Sequence, residues 1–247
     1  MRKAIKKFSV RLRKLATVFT NGDYRAAFFR ARVAPSIEHV ALLKSSQFAT
    51  IVDIGANRGQ FTLAARHFSP SARIIAFEPL SGPANRFRAA LGGDQLVTLH
   101  PVAIGATNGA ATMHVSAQDD SSSLLPITDL QESLFAGTRE VATESIQVEC
   151  LASRIKPEDI KQPALLKIDV QGYELSVLEG CEALLPQFSR VYVECSFVEL
   201  YAGQALAANV IAFLHDRGFD LCGAYNTHYD TSGIAIQSDL LFAARAV

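Results

Sequence analysis

The sequence lacks the cysteine patterns that mark zinc ribbons and redox-active dithiols. Its 247 residues include only four cysteines, and no two of them form a CxxC pair. No disulfide framework or secretory leader is recognisable, because basic residues interrupt the apolar stretch that a signal peptide needs near the amino terminus. We therefore expect reduced thiols and a cytoplasmic protein.

Long apolar runs and an excess of one charge are missing too. No run approaches the roughly 20 apolar residues that a membrane-spanning helix needs. The 24 basic and 24 acidic residues cancel, so bulk charge gives no reason to expect a nucleic-acid partner. Hydrophobic residues make up 49% of the chain, which is enough for one full-sized core and predicts one main domain.

The charge is distributed unevenly along the chain. Residues 1–32 hold ten of the 24 basic residues and one acid, which leaves 14 basic against 23 acidic residues in the rest. Within residues 2–20, apolar side chains recur at spacings of three and four between lysines and arginines, which predicts an amphipathic basic helix. Such a helix suits peripheral association of residues 1–20 with the inner membrane surface, or packing on the catalytic domain, and the pattern leaves both open.

The chain after this helix divides into a short connection and an α/β region. An Asn-Gly-Asp break at 21–23 precedes a second helical stretch over 36–46. We predict a helical N-terminal extension over residues 1–47 and a single domain over residues 48–247.

From residue 49, short β-branched runs alternate with helical stretches, which is typical of a parallel sheet with crossover helices on both faces. The predicted strands are 50–55, 73–78, 97–104, 111–116, 146–151, 164–169, 190–196, 219–225 and 239–245. The predicted helices between them are 59–68, 81–91, 173–185 and 205–217. Residues 117–145 are rich in Ser, Thr and Asp, which predicts a mobile loop near the substrate.

A glycine turn follows the first strand, in the segment IVDIGANRGQF at 51–61. In a doubly wound sheet this turn lies at the carboxyl end of the strand, beside the ligand crevice. We expect Gly55 and Gly59 to let the backbone approach a ligand closely. The spacing is GxxxG rather than the GxGxxG of pyrophosphate binders, and Asp53 precedes it, so the turn suits a cationic amino-acid ligand.

Acidic residues end two further predicted strands. Glu78 and Pro79 end the segment AFEP, 23 residues after Gly55, where a carboxylate can hold both hydroxyls of a ribose. Asp169 ends the strand in LLKIDVQGYE and is therefore expected at the same edge of the sheet.

Taken in order, the segments IVDIGANRGQF, FEP, AIG, SSSLL and LLKIDVQGYELSVLEG resemble the FkbM family of S-adenosylmethionine-dependent methyltransferases over roughly residues 49–245. The resemblance implies a seven-stranded, Rossmann-like class I methyltransferase sheet whose last strand, here 239–245, is antiparallel. It also implies O-methylation, often of sugar or polyketide hydroxyls, with S-adenosyl-L-methionine as the cofactor. The implied cofactor-binding residues are Asp53, Gly55, Asn57 and Gly59 at the methionine part, Glu78 at the ribose and Pro79 beside it.

Methyl transfer to a hydroxyl requires close alignment of oxygen and carbon, and a group that removes the hydroxyl proton. The candidate bases are Asp169, Glu194 at the tip of the fifth sheet strand, and His228 after the sixth. No third ligand accompanies Asp169 and Glu194 at convincing spacing, so we predict no metal. The expected acceptor is a glycan or another small molecule.

Other functions stay open at this point. A NAD(P)-dependent Rossmann oxidoreductase would share the acid at the ribose, although the missing GxGxxG disfavours it. A protein that binds S-adenosylmethionine without catalysis is the other alternative, since family members often have DVEG where this chain has DVQG at 169–172. A nucleic-acid methyltransferase is disfavoured, because the sequence has no NPPY-like tetrad. The oligomeric state is left open.

Overall fold

The computed structural model describes residues 14–245. The strands in this range are β1 (Thr50–Ile54), β2 (Arg73–Phe77), β3 (Val97–His100), β4 (Ala103–Ile104), β5 (Gly109–Ser116), β6 (Glu140–Glu149), β7 (Ala164–Ile168), β8 (Arg190–Ser196), β9 (Phe219–Tyr229) and β10 (Ala235–Ala244). The α-helices are α1, described over 14–20, α2 (Gly22–Ala31), α3 (Val40–Ser45), α4 (Gln60–Phe68), α5 (Ser81–Leu91), α6 (Asp129–Leu134), α7 (Glu174–Cys181) and α8 (Ala207–Asp216).

Seven of these strands form one sheet in the order β3-β2-β1-β7-β8-β10-β9. Neighbouring strands from β3 to β8 run parallel, and β10 lies antiparallel between β8 and β9. The strand order reverses between β1 and β7, so the carboxyl ends of these two strands border the crevice where open α/β sheets bind ligands. The predicted seven-stranded sheet with an antiparallel last strand is confirmed.

The central strands β1 and β7 are buried along their whole length, although each contains a charged residue, Asp53 and Lys167. Nearly continuous apolar strands are typical of parallel sheets covered on both faces. Val52 packs with α7 and α8 on one face, and Ile51 packs with α3 and α4 on the other. This confirms the predicted helices on both faces.

A second sheet of three strands, in the order β4-β6-β5, interrupts the alternation of strands and helices. The prediction of one strand over 97–104 was wrong, because the structure divides this segment between β3 and β4, which belong to different sheets. Pro101 separates them, and proline lacks the N–H group that a strand ladder needs.

The prediction of a loop throughout 117–145 was wrong too. This segment contains a 3₁₀ helix at Asp119–Ser121, then α6 and the first residues of β6. The Thr128 hydroxyl accepts a hydrogen bond from the backbone N of Gln131 at 3.3 Å and so caps α6. Most of β6 is exposed, so its sequence is as polar as that of a loop.

The described part of the N-terminal extension contains three helices. The helix predicted over 2–20 is confirmed for 14–20, and its remainder lies outside the described residues. Asn21 ends α1, and its side chain accepts hydrogen bonds from the next turn and caps α2, a helix that sequence analysis missed. The stretch 36–46 is helical only over α3. Between residues 14 and 245, no helix is long and apolar enough to cross a bilayer.

Candidate active site

A cavity opens at the carboxyl edge of the large sheet, at the ends of β1, β2 and β7. Its empty volume is about 1020 Å³, including the open mouth. Further walls come from the segment before α3 and from the 3₁₀ helix at Asp119–Ser121. The residues predicted from sequence that line it are Gly55, Asn57, Glu78, Pro79 and Asp169. The predicted residues that do not line it are Asp53, Gly59, Glu194 and His228.

The glycine turn after β1 is shaped by contacts inside the protein. Gly55 has a φ of +76°, and a Cβ there would lie 1.8 Å from the carbonyl oxygen of Asp169. Gly59 has a φ of +89°, and a Cβ there would lie 2.8 Å from Leu91 and 2.9 Å from Phe87, both on α5. The backbone after β7 and the side chains of α5 therefore already exclude a side chain at these two positions, and the expected close approach of a ligand stays a prediction.

Glu78 lies at the end of β2 with its side chain turned back onto the glycine turn. One carboxylate oxygen accepts a hydrogen bond from the backbone N of Asn57 at 2.9 Å, and the other accepts from that of Leu80 at 2.8 Å. Burial raises the pKa of Glu78 to about 7. Each oxygen keeps a further lone pair, so this carboxylate can also accept hydrogen bonds from hydroxyls of a ligand in the cavity.

Asp53 is fully buried and is paired within the protein. One of its oxygens accepts a hydrogen bond from the Thr62 hydroxyl at 2.7 Å, and the other lies 3.1 Å from Nζ of Lys167. Nζ of Lys167 also donates to the carbonyl oxygen of Gly55 at 3.0 Å, and Lys167 lines the cavity where Asp53 does not. The predicted contact between Asp53 and a ligand stays a prediction.

Asp169 and Glu194 are joined by the side-chain amide of Gln171. Its nitrogen donates to Oδ1 of Asp169 and to Oε2 of Glu194, both at 2.7 Å. Its oxygen accepts from the Tyr201 hydroxyl at 2.8 Å. Burial raises the pKa of Glu194 well above its usual value, and the charges of Asp169 and Asp239 add to this. Asp169 and Gln171 line the cavity, and Glu194 lies behind them.

The buried side chain of Glu174 holds the turn that carries Gln171. One Glu174 oxygen accepts hydrogen bonds from the backbone N of Val170 at 3.2 Å and of Gly172 at 3.0 Å. Burial raises the pKa of Glu174 to about 7. Gln171 itself has a φ of +58°, so the turn places a non-glycine residue in the left-handed region at the cavity wall.

The structure does not bring His228 to the cavity. His228 is exposed on β9, and its ring packs against that of Phe135 with centroids 5.8 Å apart. The prediction that His228 acts as a base therefore has no contact with the cavity to support it.

Sequence analysis missed several titratable side chains of the cavity, which are Glu38, His39, Asp119, Asp120, Lys167 and Tyr173. Asp119 binds the Arg58 guanidinium, with Nε of Arg58 2.9 Å from Oδ2, and so ties the glycine turn to the 3₁₀ helix. The signal for Lys167 was a lone charge inside an otherwise apolar strand. Among residues 14–245, no three His, Cys, Asp or Glu side chains are grouped as metal ligands.

The sheet order and the acidic cavity at its carboxyl edge fit a Rossmann-like methyltransferase fold, and a match to a methyltransferase family identifies the cofactor as S-adenosylmethionine. The family described as "Methyltransferase FkbM domain" matches residues 53–221. The chain belongs to this FkbM methyltransferase family.

Individual relatives are consistent with that assignment. The 2-O-methyltransferase NoeI of Sinorhizobium fredii is 30% identical over 165 residues, which cover 62% of this chain and 66% of that protein. The methyltransferase sdnD of Sordaria araneosa is 28% identical over 205 residues, 74% of this chain and 77% of that protein. The methyltransferase domain of bacterial CtHen1-C shares the fold, with a TM-score of 0.50 at 12% identity over 84% of this chain and 95% of that one.

Proposed function

We propose that this methyltransferase transfers the methyl group to a hydroxyl oxygen of a sugar or glycan. The observation that carries the proposal is the acidity of the cavity. Its lining includes five carboxylates among the described residues: Glu38, Glu78, Asp119, Asp120 and Asp169. Carboxylates accept hydrogen bonds from hydroxyls, and their combined field disfavours anionic acceptors such as phosphates. The relationship to NoeI, a 2-O-methyltransferase, supports the same chemistry.

The residues of the cavity suit the cofactor. The free lone pairs of Glu78 match two ribose hydroxyls, and the acidic lining favours a ligand that carries ammonium and sulfonium charges. When bound, S-adenosylmethionine supplies a methyl group on a positively charged sulfur. We assign Gly55 and Asn57 to the methionine part and Glu78 and Pro79 to the ribose.

Asp169 would accept a hydrogen bond from a hydroxyl of the acceptor next to the one that is methylated. It is the acid at the end of β7, and the Gln171 amide fixes one of its oxygens by donating a hydrogen bond. Holding the acceptor in one place reduces the entropic part of the activation barrier. In a displacement reaction this reduction supplies a large part of the rate enhancement.

Calorimetric titration with S-adenosylhomocysteine and, separately, with NADH tests the cofactor site. We expect tight binding of the first and none of the second, with Glu78→Ala weakening binding by at least about tenfold. Transfer of tritiated methyl groups to a panel of methyl glycosides, phenols and carboxylic acids then tests the acceptor. Product confined to carboxylic acids would contradict O-methylation of a sugar, and binding of NADH alone would favour an oxidoreductase.

We also propose that the N-terminal helices bind the surface of an anionic membrane. One side of each of the helices α1 and α2 is buried and includes Val18 and Tyr24, so this side packs inside the protein. The other side leaves Phe19 57% and Phe29 68% exposed among basic residues. Large exposed apolar side chains between positive charges suit the headgroup region of an anionic bilayer.

Co-sedimentation of the full-length protein with phosphatidylglycerol vesicles tests this proposal. Replacing both Phe19 and Phe29 by Ser should lower binding by about tenfold or more, since burying each ring is worth roughly 1.5–3 kcal/mol. Ile234→Ser is the matched control. It removes a side chain that is similarly exposed, at 62%, but lies between β9 and β10 and outside the N-terminal helices. Equal sedimentation of the double variant and the wild type would contradict the proposal.

A further inference from the structure

A chain of hydrogen bonds runs from the cavity wall into the large sheet through His39, Tyr192 and Asp239. Nδ1 of His39 lies 3.1 Å from the Tyr192 hydroxyl, which donates to Oδ2 of Asp239 at 2.9 Å. The side-chain nitrogen of Asn226 donates to the same Asp239 oxygen at 2.7 Å. Segments that are far apart in the sequence therefore meet behind one imidazole ring.

The position of His39 is fixed from several sides. The backbone N of Ser36 donates to the carbonyl of the first residue of α4 at 3.0 Å and holds the segment against that helix. The imidazole ring packs edge-on against Phe61 and Tyr192, with centroids 5.3 and 5.6 Å away. The side chain is 11% exposed, and it lines the same cavity as Asp169.

Donor and acceptor capacity determines which ring nitrogen of His39 carries the proton. An ionised Asp239 only accepts hydrogen bonds, so the single hydroxyl proton of Tyr192 points toward it. The Tyr192 oxygen is then the acceptor for His39, so Nδ1 carries the hydrogen. Across residues 14–245, Nε2 of His39 has no hydrogen-bond partner, which leaves its lone pair available to a ligand.

The charge state of the ring follows from its surroundings. Burial lowers the pKa of His39 below its usual value, and Lys167 acts in the same direction. The carboxylates of Asp239, Glu38 and Asp169 oppose this shift without reversing it. The imidazole is therefore neutral near pH 7, which is the state that can accept a proton.

We propose that His39 is the base that takes the proton of the acceptor hydroxyl, with Tyr192 and Asp239 as positioning residues that hold its ring. This inference rests on the proposed O-methylation. As the acceptor oxygen bonds to the methyl carbon, the carbon–sulfur bond breaks with its electron pair going to sulfur, and the hydroxyl proton passes to Nε2. The carboxylate of Asp239, 3.6 Å from Nδ1, stabilises the imidazolium until solvent removes the proton.

Nitrogen-15 spectra of the histidine rings test the arrangement without any acceptor. The full-length protein, saturated with S-adenosylhomocysteine, should show His39 as the Nδ1–H tautomer at pH 7, and the spectrum of His39→Gln identifies its signals. Tyr192→Phe removes the acceptor of this hydrogen and should shift the ring toward a tautomer mixture. An Nε2–H tautomer or an imidazolium at pH 7 in the wild type would overturn the inference.

Turnover of the acceptor found in the methyl-transfer panel tests the catalytic step. His39→Gln should lower kcat by about 100-fold or more, the usual contribution of a general base, and leave S-adenosylhomocysteine affinity within about twofold. Tyr192→Phe should lower kcat less and displace the acid limb of its pH profile. His215→Gln replaces a histidine on α8 whose side chain is 64% exposed, and it should change neither quantity.

The two proposals fail in different ways. An unchanged kcat in His39→Gln would overturn the role of His39 and leave O-methylation standing. A wild-type protein that binds S-adenosylhomocysteine but methylates no hydroxyl of the panel would overturn the proposed O-methylation, and the role of His39 with it.

Discussion

Nζ of Lys167 lies 3.1 Å from a carboxylate oxygen of Asp53, and both side chains are almost wholly buried where β7 pairs with β1. The two residues are register partners in the sheet, so the pair is set by the strand alignment itself. It also fixes the glycine turn, because the same ammonium group donates to the carbonyl of Gly55.

Removing the cation from this pair should be costly. We expect Lys167→Met to lower the free energy of unfolding by roughly 3–5 kcal/mol, because Asp53 would keep a buried charge without its counter-ion. Urea unfolding monitored by circular dichroism measures the loss. The double variant with Asp53→Asn and Lys167→Met removes both charges of the pair and should recover part of the lost stability. A Lys167→Met protein as stable as the wild type would show that the pair is dispensable.

Gly55 should tolerate no side chain. In Gly55→Ala the new Cβ would meet the carbonyl oxygen of Asp169 at 1.8 Å with the backbone in the left-handed region, so we expect a loss of several kcal/mol or failure to fold. Gly82→Ala is the matched control: it has open space, lies in α5 and should be neutral or stabilising by up to about 1 kcal/mol. Thermal unfolding of both proteins checks the contrast.

Replacing Gln171 by glutamate should make the stability of the protein depend on pH. In Gln171→Glu a third carboxylate would lie within hydrogen-bond distance of Asp169 and Glu194, and the negative charges would repel one another. The variant should be close to the wild type in stability near pH 5, where a shared proton replaces the amide hydrogens, and clearly less stable at pH 8. Gln171→Ala loses the same hydrogen bonds without adding charge, so its deficit should vary little with pH.

Glu78 should make cofactor binding depend on pH. Its pKa of about 7 in the free protein means that it is largely protonated below pH 6, and ribose hydroxyls bind the ionised form better. Affinity for S-adenosylhomocysteine should rise between pH 5.5 and 8 by roughly tenfold. The pH dependence should be absent in Glu78→Gln, and an affinity that falls with pH in the wild type would falsify this assignment.

The same carboxyl should affect stability in the opposite direction. Its folded pKa of about 7 lies above the ordinary value of 4.5, so the native state binds more protons between these limits. The stabilisation is fully present below pH 4.5 and is lost as pH rises through about 7. Glu174, with the same pKa, adds to the trend. The melting temperature of the unliganded protein should therefore fall between pH 6 and 8, and saturation with S-adenosylhomocysteine should reduce the fall.

Much of the fold was predictable because its strands are short apolar runs with distinct ends. β2 and β7 each end in an apolar residue followed by an acid, Glu78 and Asp169, and sheet geometry alone places these acids at one edge. Only the end of β6 was recognised, in the strand predicted over 146–151, since the exposed first part of β6 has the polarity of a loop.

The cavity residues that sequence analysis missed are placed there by contacts between distant parts of the chain, which no local sequence pattern reveals. His39 contacts Tyr192, which lies 153 positions away in the sequence, and it belongs to the helical stretch predicted over 36–46 in the extension before the domain. The role of Gln171 depends on Glu194, which only strand pairing between β7 and β8 brings near. Gly55 and Gly59 were singled out for a ligand, and the structure adds that the protein's own backbone and helix side chains exclude a side chain there.

Ser36, Glu38 and His39 line the cavity although they precede the first strand of the sheet. An ion pair of 3.1 Å between Lys14 and Glu38 connects α1 to this same stretch. A protein trimmed to residues 48–247 would keep every strand of the large sheet and lose one wall of the cavity. The segment before the sheet therefore forms part of the cavity wall, and substitutions in it act on the active site although they lie outside every strand.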